Sequence, residues 1–283
     1  MGYYTKNSNL IGVAPSNRTG VHDLVNSQVN WEIVPDDLYL HLDAGRKASY
    51  PGTGTTWYDL SGNGFHGTIN TLGAGNILHM NADNSTYADS EFFMFFGSSN
   101  SQKISLGSSL DFGNQFSMCF LVRPLAKSDI QPVLCNIDPG ALTEGFLFGW
   151  NTWGTEDRKF RVSVGEGSGS SYKTNVYSAA DAFSVTPPEW MFLTVSMDKT
   201  NSLTTVRKNM TTVISSGSLG NRDFDVSGKD VTIGAYNSTG NLGTSYPLCG
   251  HISAILVYKR FITYDEQWHN FNYYKRRFGG DWA

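Results

Sequence analysis

Charged residues are scarce in this sequence. Asp, Glu, Lys and Arg make up 16% of the 283 residues, whereas about a quarter is usual in globular domains. Glycine, serine, threonine and asparagine fill many polar positions instead, which favours turns over long solvated helices. The formal net charge is −4, so no basic excess points to nucleic acid and no such partner is predicted.

Long apolar runs and targeting segments are lacking as well. No run approaches the roughly 18 apolar residues that cross a bilayer, and no basic stretch followed by an apolar one opens the chain, as a secretory signal requires. We therefore expect synthesis in a reducing cytoplasm, without a secretory signal or membrane insertion. The three cysteines form no C-x-x-C pair, and Cys119 and Cys249 lie in apolar runs, so buried free thiols are expected.

Residues 1–36 differ from the rest of the chain. They are polar, show little periodicity and end at Pro35 and Asp36, so we predict an extended N-terminal arm that serves for attachment. From residue 37 to residue 283, short alternating runs follow one another between glycine-rich turns. That pattern is typical of a single all-β domain.

Several runs carry this strand prediction. In residues 159–164, phenylalanine and valine alternate with polar residues, which predicts one apolar and one polar strand face. Residues 116–122 and 189–197 are apolar on both faces and are expected to be central strands. Residues 251–258 alternate too. The residues predicted to share one face of that strand are Ile252, Ala254, Leu256 and Tyr258.

A helix is predicted near the C-terminus. Thr263 and Glu266 have the spacing of a capping box, in which each side chain pairs with the backbone amide of the other residue. Trp268, Phe271 and Tyr274 follow at helical spacing and are expected to bury one face. The basic residues 275–277 crowd the last turn, where the helix dipole favours cations.

Four segments occur in the order of one known fold family. They are Leu40-His-Leu-Asp-Ala-Gly45 with Tyr50-Pro-Gly-Thr-Gly-Thr-Thr-Trp-Tyr-Asp-Leu-Ser-Gly-Asn-Gly64, Gln115-Phe-Ser-Met-Cys-Phe-Leu-Val-Arg-Pro124, Glu189-Trp-Met-Phe-Leu-Thr-Val195 and Gly250-His-Ile-Ser-Ala-Ile-Leu-Val-Tyr-Lys-Arg260. Together they resemble concanavalin A-like, laminin-G-type jelly rolls. The resemblance implies a two-sheet antiparallel β-sandwich, closed by a short C-terminal α-helix and preceded by the arm.

The opening segment resembles the version found in bacteriophage and other viral structural proteins. Arg18-Thr-Gly-Val-His-Asp-Leu24 is similar to short segments that begin phage tail and virion proteins. These resemblances imply a virion location, as a decoration, fibre or tail-associated subunit whose arm contacts other virion proteins. Host cell-surface glycans are candidate ligands, and a homo-oligomer is expected because virion proteins often form symmetric assemblies. The alternative is a carbohydrate-binding module or a glycoside hydrolase-related protein of cellular origin.

Catalytic motifs are missing from the sequence. The glucanases of this superfamily place Glu-x-Asp-x-x-Glu or Glu-x-Asp-x-Glu on one strand, and double displacement needs carboxyl groups about 5 Å apart. No such triad occurs, the histidines have no metal-ligand spacing, and no nucleophile elbow or phosphate loop is present. We therefore predict that the protein is not an enzyme.

Calcium is a candidate ligand. The resemblance implies a site at the rim of the sandwich, where carboxylates and loop carbonyls supply the oxygen ligands that calcium prefers. The residues of the opening segment that could contribute are Asp43, Asp59 and Asn63. The alternative is that Asp59 and Asn63 organise the turn at residues 57–64 through side-chain hydrogen bonds to the backbone.

Aromatic residues make up 13% of the chain, and sugars stack on exposed aromatic rings. A predicted loop contains Trp150 and Trp153, and Tyr172 and Tyr177 follow the glycine-rich turn. These four residues are the candidate carbohydrate-binding group, and the alternative is that they pack in the core or in loops. The tryptophans expected in the core are Trp57, Trp190 and Trp268.

Overall fold

A computed structural model describes residues 5–6, 9–10, 32–73, 76–81, 91–97, 102–108, 110–136, 145–165, 173–217, 230–236 and 246–278. The chain divides into two compact units, Met1–Pro35 and Asp36–Ala283. In the first unit, β1 (Thr5–Lys6) and β2 (Asn9–Leu10) pair in antiparallel fashion. The attachment role of residues 1–36 stays a prediction.

The second unit is built from short strands that follow one another along the chain. They are β3 (Leu38–Asp43), β4 (Thr56–Trp57), β5 (Gly67–Ile69), β6 (Ile77–Asn81), β7 (Glu91–Phe96), β8 (Ile104–Ser105), β9 (Gln115–Pro124), β10 (Gln131–Cys135), β11 (Phe146–Trp150), β12 (Phe160–Gly165), β13 (Lys173–Tyr177), β14 (Met191–Asp198), β15 (Leu203–Lys208), β16 (Thr211–Ser216), β17 (Thr232–Ile233) and β18 (Cys249–Tyr258).

These strands form two antiparallel sheets, as predicted. Sheet 1 has the order β16-β15-β14-β9-β18-β7-β6, with β3 also paired to β18. Sheet 2 has the order β13-β12-β11-β10-β17-β8-β5-β4. Phe120 of sheet 1 stacks on Phe148 of sheet 2, with ring centroids 4.9 Å apart. One hydrophobic core therefore lies between the two sheets, which makes the second unit a β-sandwich.

The strands predicted at residues 116–122, 159–164 and 189–197 are present, with ends that differ by one or two residues. In β12, Phe160, Val162 and Val164 lie in the core, as their alternation predicted. Every described residue of β14 is buried, and so are most residues of β9, as expected for central strands. Cys119 is a buried free thiol whose burial raises its pKa to about 12, whereas Cys249 is only partly buried.

The prediction that Ile252 shares one face of β18 with Ala254, Leu256 and Tyr258 is wrong for Ile252. The residues of β18 that face the core are Ile252, Ile255 and Val257. The register with β9 shifts between Ile252 and Ala254, so Ser253 is the extra residue of a β-bulge. A bulge reverses the side-chain alternation beyond it, which is why Ala254 shares no face with Ile252.

Helix α1 (Tyr264–Phe278) covers the outer face of sheet 1. The capping box is confirmed, since the Glu266 amide donates to Thr263 Oγ1 (3.3 Å) and the Thr263 amide donates to Glu266 Oε2 (2.7 Å). Phe271 packs on Phe192 of β14, with centroids 5.9 Å apart. Within the described residues, no helix is both long and apolar enough to cross a membrane.

The prediction that Trp268 belongs to the core is wrong. Its side chain is 47% exposed, whereas Phe271, Tyr274 and Trp57 are buried as expected. At 100° per residue, Trp268 lies about 120° around the helix from Tyr274, so the two side chains cannot share one buried stripe. Polar Asn270 takes the buried position instead and donates to the hydroxyl of Tyr258 (2.9 Å).

Candidate functional site

Asp43, a candidate calcium ligand, is engaged by an arginine. Its carboxylate is fully buried and accepts hydrogen bonds from both terminal nitrogens of Arg277, one of them at 3.0 Å. Burial alone would raise the pKa of Asp43, but the Arg277 guanidinium and the His41 side chain together outweigh it and lower the pKa to about 2. Both carboxylate oxygens thus have a cationic partner within the fold.

Asp59 and Asn63 organise the turn that follows β4. Asp59 Oδ1 accepts from the backbone amides of His41 and Ser61 (both 2.9 Å), and Oδ2 accepts from the Ser61 hydroxyl (2.7 Å) and the Phe65 amide (3.1 Å). The Asn63 amide group donates to the carbonyl of Tyr39 (3.0 Å). Because the oxygens of Asp43 and Asp59 are committed to protein donors, the three residues do not fit a calcium site. Among the described residues, no cluster of His, Cys, Asp and Glu could hold a metal ion.

The four aromatic candidates do not share one environment. Trp150 is fully buried and belongs to the core cluster, so its ring offers no surface to a ligand. Tyr172 lies outside the described residues. Trp153 is 76% exposed and Tyr177 is 39% exposed. Trp153 and Tyr177 therefore keep the properties of sugar-stacking residues.

Tyr177 and Trp153 belong to the outer face of sheet 2, the face turned away from the core. Tyr177 pairs with Arg161 of β12, and Arg161 alternates with core residues, so both side chains point outward. A further set of outward residues packs together beside them. That set is Ile130, Cys135, Leu147, Tyr236 and Tyr246.

Three aromatic rings form a continuous row on this face. Trp153 meets Tyr246 edge-on with centroids 6.2 Å apart, and Tyr246 meets Tyr236 edge-on at 5.7 Å. Burial raises the pKa of Tyr236 well above its ordinary value, although the nearby Arg161 acts in the opposite direction. The row thus runs from the exposed Trp153 to the buried Tyr236.

Arg161 is at the centre of a polar network beside this row. Its Nε donates to Ser163 Oγ (2.8 Å) and its Nη2 donates to Asn175 Oδ1 (3.0 Å). The Ser163 hydroxyl also donates to Asn175 Oδ1 (2.6 Å). The guanidinium carbon lies 5.7 Å from the ring centroid of Tyr177, within cation–π range.

We refer to this surface as the aromatic face. Its members are Trp153, Arg161, Asn175, Tyr177, Tyr236 and Tyr246. It combines exposed rings, which can stack on sugar rings, with hydrogen-bond donors and acceptors that can orient a polar ligand.

The loop that carries Trp153 is held by aspartates on both sides. Asp157 accepts from the amide (3.1 Å) and the hydroxyl (2.8 Å) of Thr152, and Asp129 accepts from the amide of Gly154 (3.2 Å). The hydrogen bonds from Thr152 and the nearby Lys159 lower the pKa of Asp157, although burial opposes this shift. Both neighbours of Trp153 are thereby fixed, so the exposed ring is presented from an ordered loop.

Sequence patterns missed the other members of the aromatic face. Arg161 stands at an outward strand position, where a charged residue is common. Nothing in the neighbouring sequence therefore indicates that it is buried. Tyr236 and Tyr246 border a glycine- and asparagine-rich segment that carries no strand periodicity. Their packing against Trp153 depends on contacts between distant parts of the chain.

The sequence matches no protein-family model, and no curated protein matches it in sequence. Solved structures do match the fold. The binding domain of Paraclostridial Mosquitocidal Protein 1 has a TM-score of 0.57 and 13% identity, over 85% of this chain and 53% of that one. The binding domain of botulinum neurotoxin DC in complex with SialylT has a TM-score of 0.58 and 10% identity, over 85% and 52%.

A third similar structure is domain 4 of AbnA, a GH43 extracellular arabinanase from Geobacillus stearothermophilus, in complex with arabinotriose. Its TM-score is 0.52 and its identity 18%, over 82% of this chain and 96% of that domain. The chain spans only about half the length of the two toxin binding domains that it matches. At these identities the likeness shows the fold, a β-sandwich shared with carbohydrate-binding and receptor-binding domains.

Proposed function

We propose that this protein is a glycan-binding domain without catalytic activity, and that the aromatic face is its binding surface. The observation that carries the proposal is the exposure of Trp153 and Tyr177 on the outer face of sheet 2, where Arg161 and Asn175 are joined by a hydrogen bond. Exposed rings give a sugar its stacking surface, and fixed polar groups select among its hydroxyl patterns. Two of the structural neighbours are complexes with SialylT and arabinotriose by name, which supports a carbohydrate ligand.

The non-enzymatic part of the proposal rests on the chemistry of the aromatic face. Glycoside hydrolysis needs a pair of carboxyl groups that flank the scissile bond. The residues that define the aromatic face include neither Asp nor Glu, and the nearby Asp129 and Asp157 are occupied in holding the Trp153 loop.

A glycan array followed by titration tests the binding proposal. We expect selective binding by the wild type and a loss of at least about threefold in affinity for Trp153→Ala and for Tyr177→Ala, because stacking is removed. Trp268→Ala is the matched control, since Trp268 is an exposed tryptophan on α1, against the other sheet. An array without signal, with and without calcium, would contradict the proposal, and so would an equal loss in the Trp268 variant.

We also propose that the domain is displayed on a virion, with residues 1–36 attached to other virion proteins. The support is the resemblance of residues 40–64 to segments of viral structural proteins. The alternative is that the domain is a module of a cellular enzyme, and the match to 96% of domain 4 of an arabinanase supports this alternative. Mass spectrometry of purified particles separates the two: the chain is expected in stoichiometric amounts, and its absence would rule out the virion proposal.

A further inference from the structure

Arg161 is a buried cation whose described partners are all neutral. Arg161 is only 3% exposed, and its guanidinium donates to Ser163 and Asn175. The ion pairs among the described residues all involve other cations. Removing a guanidinium from water is costly unless a counter-charge compensates, so this position is suited to an anion that comes from outside the described fold.

One edge of the guanidinium is left for such an anion. Nε and one proton of Nη2 are used on Ser163 and Asn175, whereas the end formed by Nη1 and the other Nη2 proton has no acceptor among the described residues. The two terminal nitrogens of an arginine present a planar fork that matches a carboxylate in bidentate geometry.

The position of this fork relates it to the stacking residues. The ring centroid of Tyr177 lies 5.7 Å from the guanidinium carbon of Arg161. A sugar ring seated against Tyr177 would therefore bring its substituents next to the fork.

We propose that the aromatic face selects glycans that carry a carboxylate, as sialic and uronic acids do, and that Arg161 binds this carboxylate through its terminal nitrogens. The proposal rests on the proposed function, since it names the ligand class of the same face. In this arrangement Trp153 and Tyr177 supply contact with sugar rings, and Arg161 decides which glycans bind.

The first experiment changes the ligand and leaves the protein intact. Binding of the wild type to sialyllactose is compared by calorimetry with binding to its methyl ester, to lactose and to sulfated lactose; an oligogalacturonate and its methyl ester form a second pair. For at least one pair we expect the free carboxylate to bind at least about tenfold more tightly than its ester, because a charge-assisted bidentate contact is lost. Equal affinity for acid and ester in both pairs would overturn the proposal, and so would a preference for sulfated over carboxylated ligands.

The second experiment changes the protein. Arg161→Gln is expected to bind the acid and the ester equally, and Arg161→Lys to recover only part of the preference, because a lysine keeps the charge but not the fork. Arg158→Gln is the matched control, since Arg158 is an arginine close by in sequence that pairs with Asp181. A full acid preference in Arg161→Gln would overturn the assignment of this residue.

The outcomes separate this proposal from the one on which it rests. If neutral and acidic glycans bind alike and Trp153→Ala still weakens both, glycan binding stands and the carboxylate preference falls. If no glycan binds the wild type, both proposals fall.

Discussion

Arg277 in the last turn of α1 donates from both terminal nitrogens to the buried carboxylate of Asp43 in β3. The pair ties the end of the helix to the outer face of sheet 1. It gives the basic end of the helix a partner in the fold. It also explains why Asp43, which belongs to the opening segment of the jelly roll, is ionised and buried at once.

Breaking this pair from one side should destabilise the fold. We expect Arg277→Met to lower the free energy of unfolding by about 3 kcal/mol, because the Asp43 carboxylate is left buried without its cation. The double variant Asp43→Asn, Arg277→Met should recover part of this loss. Urea unfolding measures both, and Lys259→Met, which removes an exposed pair with Asp111, should cost less than about 1 kcal/mol. Losses that simply add in the double variant would show that the pair is not coupled.

Lowering the pH should destabilise the fold because of His251. Burial, assisted by the nearby Arg123, lowers the pKa of His251 from 6.5 to about 4, and its Nδ1 is enclosed without a partner. The folded state therefore binds fewer protons than the unfolded state. The stability that depends on neutral His251 is present above pH 6.5 and is lost as the pH falls towards 4. The loss should be on the order of 3 kcal/mol.

The variant His251→Phe isolates this effect. An aromatic ring keeps the contacts with Phe92 and Trp190, and no hydrogen bond of Nδ1 is given up. The difference in unfolding free energy between variant and wild type should therefore shift in favour of the variant between pH 6.5 and 4. A difference that stays constant over this range would contradict the prediction.

Calcium should not stabilise the protein by binding at the opening segment, residues 40–64. A ligand that binds the native state raises the melting temperature by mass action, so we expect the same melting temperature in excess calcium and in chelator. Asp59→Ala, by contrast, should lower the free energy of unfolding by more than about 2 kcal/mol in both conditions, because several donors lose a charged acceptor. A rise in melting temperature with calcium that disappears in Asp59→Ala would restore the metal interpretation.

Truncation of Trp150 should destabilise the fold strongly, whereas truncation of Trp153 should hardly change its stability. Trp150 is in the core, so Trp150→Ala is expected to cost about 3–5 kcal/mol in unfolding free energy. Trp153 is mostly exposed, so Trp153→Ala should stay within about 0.5 kcal/mol of the wild type. Thermal unfolding checks both, and a large loss for Trp153→Ala would mean that the ring supports the fold and would weaken the case for a ligand surface.

Features that depend on near neighbours could be predicted from the sequence. The alternation of β12 and the capping box of α1 are determined within a few residues by backbone geometry and local hydrogen bonds. The ordered resemblance of four segments extended this to the two-sheet sandwich. The sequence could not predict which residues of β18 share a face, because one bulged residue reverses the alternation and leaves no mark in the pattern of apolar residues.

Only the tertiary structure decided which side chains meet. Asp43 meets its arginine 234 residues away, and Trp153 meets the ring of Tyr246 from a distant part of the chain. The two tryptophans of one short segment divide between core and surface, since Trp150 ends a strand facing inward and Trp153 sits in the loop beyond it. Periodicity predicted an all-β domain, because the alternation of buried and exposed faces is a local property, and the resemblance implied that its strands form a sandwich. The candidate glycan surface required the fold, because it joins residues that only the pairing of distant strands brings together.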